Sequence, residues 1–202
     1  MTTPRDLLIV AMDTVSDRPA EQGDLSLALA GAEAIDLLGA RTVTLDGDLI
    51  VPGHQPAPAD RLLEEAAASL LREAPYESVT DWLWRRGRGL SLAYQAELEA
   101  EGLLVRQRRR GLTLRAGQTV LVDSPARRRA ADRWASDDPV LAALTEAVGV
   151  RGQRTADSPD VTDDAVATVL AAVHHAVVEL AAERQRRSVD EAAFDNIWRG
   201  GV

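Results

Sequence analysis

The stretch "DRLLEEAAASLLREAPYESVTDWLWRRGRG", Asp60 to Gly89, carries a helix start, a leucine spacing, a Pro-containing turn and a knot of rings and charge. Asp60 is a residue type that accepts hydrogen bonds from the first N–H groups of a helix. Leu62, Leu63, Ala66, Leu70 and Leu71 then recur on one side, which predicts an amphipathic helix over Asp60–Ala74. Ser78 or Thr80 can start a second, shorter helix. There, two of the chain's four Trp stand with three Arg in the nine residues Asp81–Gly89. Residues four apart share a helix face, so Trp82 goes with Arg86 and Trp84 with Arg88. One surface cannot bury both rings, and the expectation is Trp82 inside with Trp84 near the outside.

On the N-terminal side, "LSLALAGAEAIDLLGA" (Leu25–Ala40) is apolar nearly all round. That pattern predicts a deeply buried helix, with Gly39 as its stop. "RTVTLDGDLIV" (Arg41–Val51) alternates around Asp46-Gly47, a hairpin with its turn at that pair. "PGHQPAPAD" is a Pro-rich connector, and Ser16–Asp24 is a polar loop. "RDLLIVAMDT" near the start fits a buried strand or a helix equally well.

On the C-terminal side, "LSLAYQAELEAEG" predicts a helix ending at Gly102. "LLVRQRRRGLTLR" then reads as a second hairpin with Arg108 to Gly111 at its tip. A basic helix starts near Ser124, where Pro125 suits the first helical position. "DPVLAALTEAVGV" is a helix ended by Gly149. The apolar "VTDDAVATVLAAVHHAVVELAAERQRR" (Val161–Arg187) is the natural centre of a bundle, and the tail gives a last short helix. The sum is a mainly α chain: a single globular helical domain, residues 1–202, around a central apolar helix, with two short β-hairpins.

Composition narrows the chemistry. With 46% hydrophobic, 27% charged and only 3% aromatic residues, the core must be filled by Leu, Val and Ala. The net charge of −9 leaves no whole-molecule attraction to phosphate, so an anion site must be a local basic patch. The chain contains no Lys, which makes every basic side chain an Arg fork suited to bidentate phosphate contacts. The absence of Cys excludes disulfides, thiolate nucleophiles and Cys-ligated metals. Leu7–Met12 is too short an apolar run for a signal-peptide core, and a cytoplasmic protein is expected.

Four blocks together resemble the Golgi phosphoprotein 3 family in its short bacterial form: "DLLIVAMD", "LALAGAEAIDLLGARTVTLDGDLIV", "ADRLLEEAAASLLREAPYESVTDWLWR" and "LEAEGLLVRQRRRGLTL". They cover most of residues 5 to 125. The resemblance implies a mostly helical peripheral membrane adaptor that binds phosphatidylinositol 4-phosphate in a basic pocket. It also implies an apolar hairpin that aids membrane contact and self-association, and contacts with cytosolic protein tails. Alignment on "AIDLLGAR" places Glu21 or Gln22 at the family pocket's Trp and Ala30 at one of its Arg. Alignment on "LEAEGLL" places Arg88 and Ser91 at two further pocket Arg positions.

The sites follow from these readings. Arg85, Arg86 and Arg88 are the expected grip on a lipid headgroup, with Trp84 at the membrane interface beside them. Leu103, Leu104 and Val105, with Arg106, Arg108, Arg109 and Arg110, form the expected membrane or oligomer hairpin; basic residues near an anionic surface contribute about 1 kcal/mol each. The expected partner is an anionic phospholipid surface, which places the chain peripherally at the inner face of the membrane. The basic "ARRRAADRW" can add to such a face or simply be solvated. A helix followed by a basic hairpin also suits a winged-helix nucleic-acid binder, but no helix carries a row of Arg, Asn and Gln for base edges. His174 and His175 are adjacent and point to different sides of a helix, which is not a metal spacing. One of them is expected to be buried and hydrogen-bonded. No catalytic motif is present; neither an enzyme nor a cofactor is expected.

Overall fold

A computed structural model describes residues 2–14, 20–107, 118–150 and 160–199, leaving aside the side chains of 106, 107, 118, 190 and 192–199. Its first element, α1 (Thr3–Asp13), resolves the ambiguous N-terminus as a helix. Leu7, Leu8, Ile9 and Val10 are all buried, because α1 packs on several helices at once. α2 (Gln22–Gly39) is the centre of the molecule. It touches α1, α3 (Arg61–Ala68), α4 (Val79–Arg86), α5 (Leu90–Ala100), α7 (Pro139–Ala147) and α8 (Asp164–Arg199). α2 runs through Gly39, and Arg41 takes the left-handed conformation (φ 57°) that ends it.

The sequence expectation put the long C-terminal helix at the centre; the structure puts α2 there. The reason is amphipathicity. Among the described side chains of α8, Val169, Val173, Ala176 and Val177 are the buried ones, a single stripe, whereas α2 is buried on all sides at its middle. α8 also continues to Arg199 without the separate last helix. It is long and apolar enough over Asp164–Val189 to cross a membrane by length and composition, yet it packs on α2, α4 and α7. Gly31 makes the α2–α8 approach close: a Cβ there would lie 2.3 Å from Val173 Cγ2.

β1 (Val43–Asp46) and β2 (Leu49–Pro52) form the expected first hairpin, antiparallel with Asp46 opposite Leu49. The turn is therefore Gly47-Asp48, one residue later than read, with the positive φ of 62° at Gly47. α3 begins as read: Asp60 accepts from the Leu62 and Leu63 amides. It ends at Ala68, earlier than read, where the Ser69 hydroxyl bonds the Ala66 carbonyl. Leu70 is still buried, but Leu71 beyond the helix is 51% exposed.

β3 (Leu104–Gln107) pairs with β4 (Gln118–Leu121), Gln107 opposite Gln118. The described return strand is therefore Gln118–Leu121. Residues 108–117, and with them Arg108, Arg109 and Arg110, lie outside the described residues. α6 (Pro125–Ala135) starts at Ser124, whose hydroxyl accepts from the Arg127 amide, as expected.

Candidate functional site

α4 is short, and Ser78 caps it by accepting from the Asp81 amide. That start fixes the direction of every ring and fork after it. Trp82 points inward, fully buried, and donates its indole N–H to the Ala30 carbonyl of α2 at 3.1 Å. Trp84 is half-buried on the other side. Both rings lie where the spacing put them.

The Arg residues are not one patch. Arg85 lies over the Trp82 ring, 5.1 Å from its centroid, and holds Glu77 through two hydrogen bonds of 2.6 Å. Arg86 runs the opposite way, into the core. Its guanidinium meets the carboxylate of Glu33 at 2.7 and 2.9 Å and the Leu62 carbonyl at 3.0 Å. Tyr94 donates its hydroxyl to the same carboxylate at 3.0 Å. Burial pushes the Glu33 carboxyl above its ordinary range, opposed by Arg86 and Tyr94. Burial also pushes the Tyr94 hydroxyl up, with Glu33 adding to it. The forks of Arg85 and Arg86 thus each hold a carboxylate, so of the three expected headgroup ligands Arg88 alone has none among the described residues. A carboxylate already supplies the two parallel acceptors that a phosphate would.

Arg88 differs. It follows the end of α4, is exposed, and makes no ion pair among the described residues. It borders a cleft of about 300 Å³ with Trp84, Gly87, Gly89, Leu92, Leu180 and the first turns of α2 (Gln22, Gly23, Ser26, Leu27). Gly89, with φ 70°, turns the chain from α4 into α5. Beneath the cleft Ser91 is buried: its amide donates to Ser26 Oγ at 3.1 Å, and the two hydroxyls meet at 2.9 Å. The Ser91 hydroxyl also reaches the Gln22 carbonyl at 3.4 Å. At the α8 side Arg184 is held by Asp24 and Glu21. The neighbours of Arg88 are therefore a half-buried ring, exposed Leu92, open backbone at two glycines and polar atoms of α2.

The second expected site is only partly described. Leu104 is a core residue and Leu103 packs against the core, so of the apolar trio only Val105 faces outward, at 44% exposure. The side chain of Arg106 lies outside the described residues, as do Arg108, Arg109 and Arg110. On α6, Arg127 pairs with Asp13, Arg128 with Asp123, and Arg133 with Asp6 and Asp138. That helix forms a braced surface rather than an open basic face. His54, His174 and His175 are all exposed, so the expected buried member of the histidine pair is absent. Among the described residues no group of His, Asp and Glu is arranged to hold a metal ion.

Sequence reasoning missed Glu33 and Leu180. Glu33 carried a legible signal: a lone acid in the middle of an all-apolar helix needs a charged partner. Leu180 carried none, because its place at the cleft depends on how α8 lies across α2.

The scaffold is mainly α, with two small hairpins and a ring-and-Arg cleft beside its central apolar helix. The chain belongs to the Golgi phosphoprotein 3 (GPP34) family, whose model matches residues 4–192, nearly its whole length. No curated protein sequence matches it significantly.

Proposed function

We propose that this protein is a non-enzymatic peripheral membrane adaptor that holds an anionic phospholipid headgroup at the Arg88–Trp84 cleft. One observation carries the reading: Arg88 is the fork of its cluster that no carboxylate among the described residues occupies, and it stands at a cleft with a half-buried indole. Arg88 supplies the charge for a phosphate, and Trp84 and Leu92 supply apolar contact at the interfacial depth where an indole sits well. Family membership supports the same site through Arg88, which aligns with one of the family's pocket Arg, while Glu21 or Gln22 and Ser91, at two other pocket positions, lie nearby. The family's usual pocket Trp and remaining Arg are replaced in this chain, so the headgroup is held by fewer charges. Phosphatidylinositol 4-phosphate is the family's ligand; a general anionic lipid suits the reduced charge. Val105, the outward-facing member of the second hairpin's apolar trio, is a second contact with the bilayer, and the remaining surface is left for cytosolic protein tails.

Sedimentation with phosphatidylcholine vesicles, alone or with phosphatidylglycerol or phosphatidylinositol 4-phosphate, tests the reading. Binding to the anionic vesicles only, weakening as salt rises, is expected. A shift of duplex DNA at physiological salt with no vesicle binding would replace the adaptor with the winged-helix alternative.

A further inference from the structure

α8 carries two apolar stripes, and among the described residues only one of them is packed on other elements. Val169, Val173, Ala176 and Val177 face α2, α4 and α7. On the opposite side Ala167, Ala171, His174, Val178 and Ala181 are exposed, Val178 at 54%. Only 22% of the helix's most apolar window is buried. The exposed positions advance in alternating steps of four and three residues, the spacing of a coiled-coil seam. Four of the five are Ala or Val, small enough for a second helix to come near the lower end of the ordinary packing distance, about 8 Å.

We infer that this face pairs with the same face of a second copy of the chain, antiparallel, about a twofold axis level with Ala176. Charge selects the partner and the direction. Asp163 and Asp164 stand at the N-terminal end, and Arg187 and Arg186, the latter also paired with Glu183 of its own helix, follow the seam at the other. Antiparallel pairing sets each acidic end against the basic end of the other copy, whereas parallel pairing sets like against like. In this register Val178 opposes His174 of the second copy, and Ala171 opposes its Ala181. The surface is self-complementary, so assembly closes at two. A bilayer is the poorer occupant: the stripe has no Trp, Phe or Leu to anchor it, and Glu179 and His175 flank it. A seam about 21 Å long is too short for a permanent interface, so the dimer is weak and concentration-dependent.

The lack of native Cys makes the test direct. Under mild oxidation the double variant A171C/A181C should give a covalent dimer, and A171C or A181C alone should not. In sedimentation equilibrium the wild type should rise with concentration from 21.7 kDa towards twice that mass. V178E should stay at the monomer mass with an unchanged circular-dichroism melt. A wild type that stays monomeric, single-cysteine variants that cross-link as well as the double, or a dimer that survives V178E overturns the proposal, the last in favour of another contact surface. Loss of vesicle binding by V178E without any dimer overturns it in favour of a lipid-facing helix. Apart from that vesicle result, these outcomes leave the Arg88 cleft untouched, and R88A tests it separately.

Discussion

Removing Arg86 isolates a charge in the middle of the protein. The Glu33 carboxylate is fully buried and receives two hydrogen bonds from Arg86 and one from Tyr94. R86M keeps the length and apolar stem of the side chain and deletes only the fork. Glu33 then stays ionised with one neutral donor or takes up a proton, and breaking a buried pair in this way costs about 3–5 kcal/mol. For a chain of this size that lowers the melting temperature by roughly 10 °C. The deficit should depend on pH with a definite sign. Burial already raises the Glu33 carboxyl, and losing Arg86 removes its main opposition. The loss should therefore be largest at neutral and alkaline pH and shrink on acidification, as Glu33 becomes neutral. Adding E33Q to R86M removes the stranded charge and should recover most of the stability. Chemical denaturation of the wild type and the variants at pH 5 and pH 8 reads all of this. A cost under about 1 kcal/mol at pH 8, or a cost that grows on acidification, refutes the reasoning, because a pair worth so little behaves as a surface pair.

G31A should destabilise by about 1–3 kcal/mol, because its Cβ would meet Val173 Cγ2 at 2.3 Å. G31A/V173A should lose less than the sum of the single variants, measured by thermal melts, if the clash is the cause. Asp36 accepts from the Thr3 amide at 2.8 Å, and burial holds its carboxyl above its ordinary value. Asp6, beside Arg133, is raised by burial too. A raised carboxyl binds its proton in the folded state first, so stability falls as pH rises from the ordinary carboxylate range through the folded value. D36N keeps an acceptor for Thr3 and should make that decline shallower, as followed by denaturation midpoints across pH 4–8.

Local sequence patterns determined much of the fold, and tertiary placement determined the rest. Asp60, Ser78 and Ser124 start helices because a side-chain oxygen next to free amides works the same way in any fold. Trp82 and Trp84 part company because helical geometry allows nothing else. Periodicity could not show that α8 lies across the outside of α2, since a long apolar helix reads alike at the centre of a bundle and at its flank. Nor could it show that Arg85 and Arg86, adjacent in sequence, turn to different carboxylates, Glu77 just ahead of α4 and Glu33 on α2. Three Arg in four residues looked like one cationic surface. The fold spends two of them on internal pairs and leaves Arg88 at the cleft. The polar floor of that cleft rests on Ser26 and Ser91, which are 65 residues apart and meet only when α5 docks on α2.

The most direct test of the membrane reading compares R85A with R88A on vesicles carrying phosphatidylinositol 4-phosphate or phosphatidylglycerol. The account predicts that R88A loses most of the binding at moderate salt, while R85A, whose fork is taken by Glu77, keeps it. Binding that survives in R88A and disappears in R85A would contradict it.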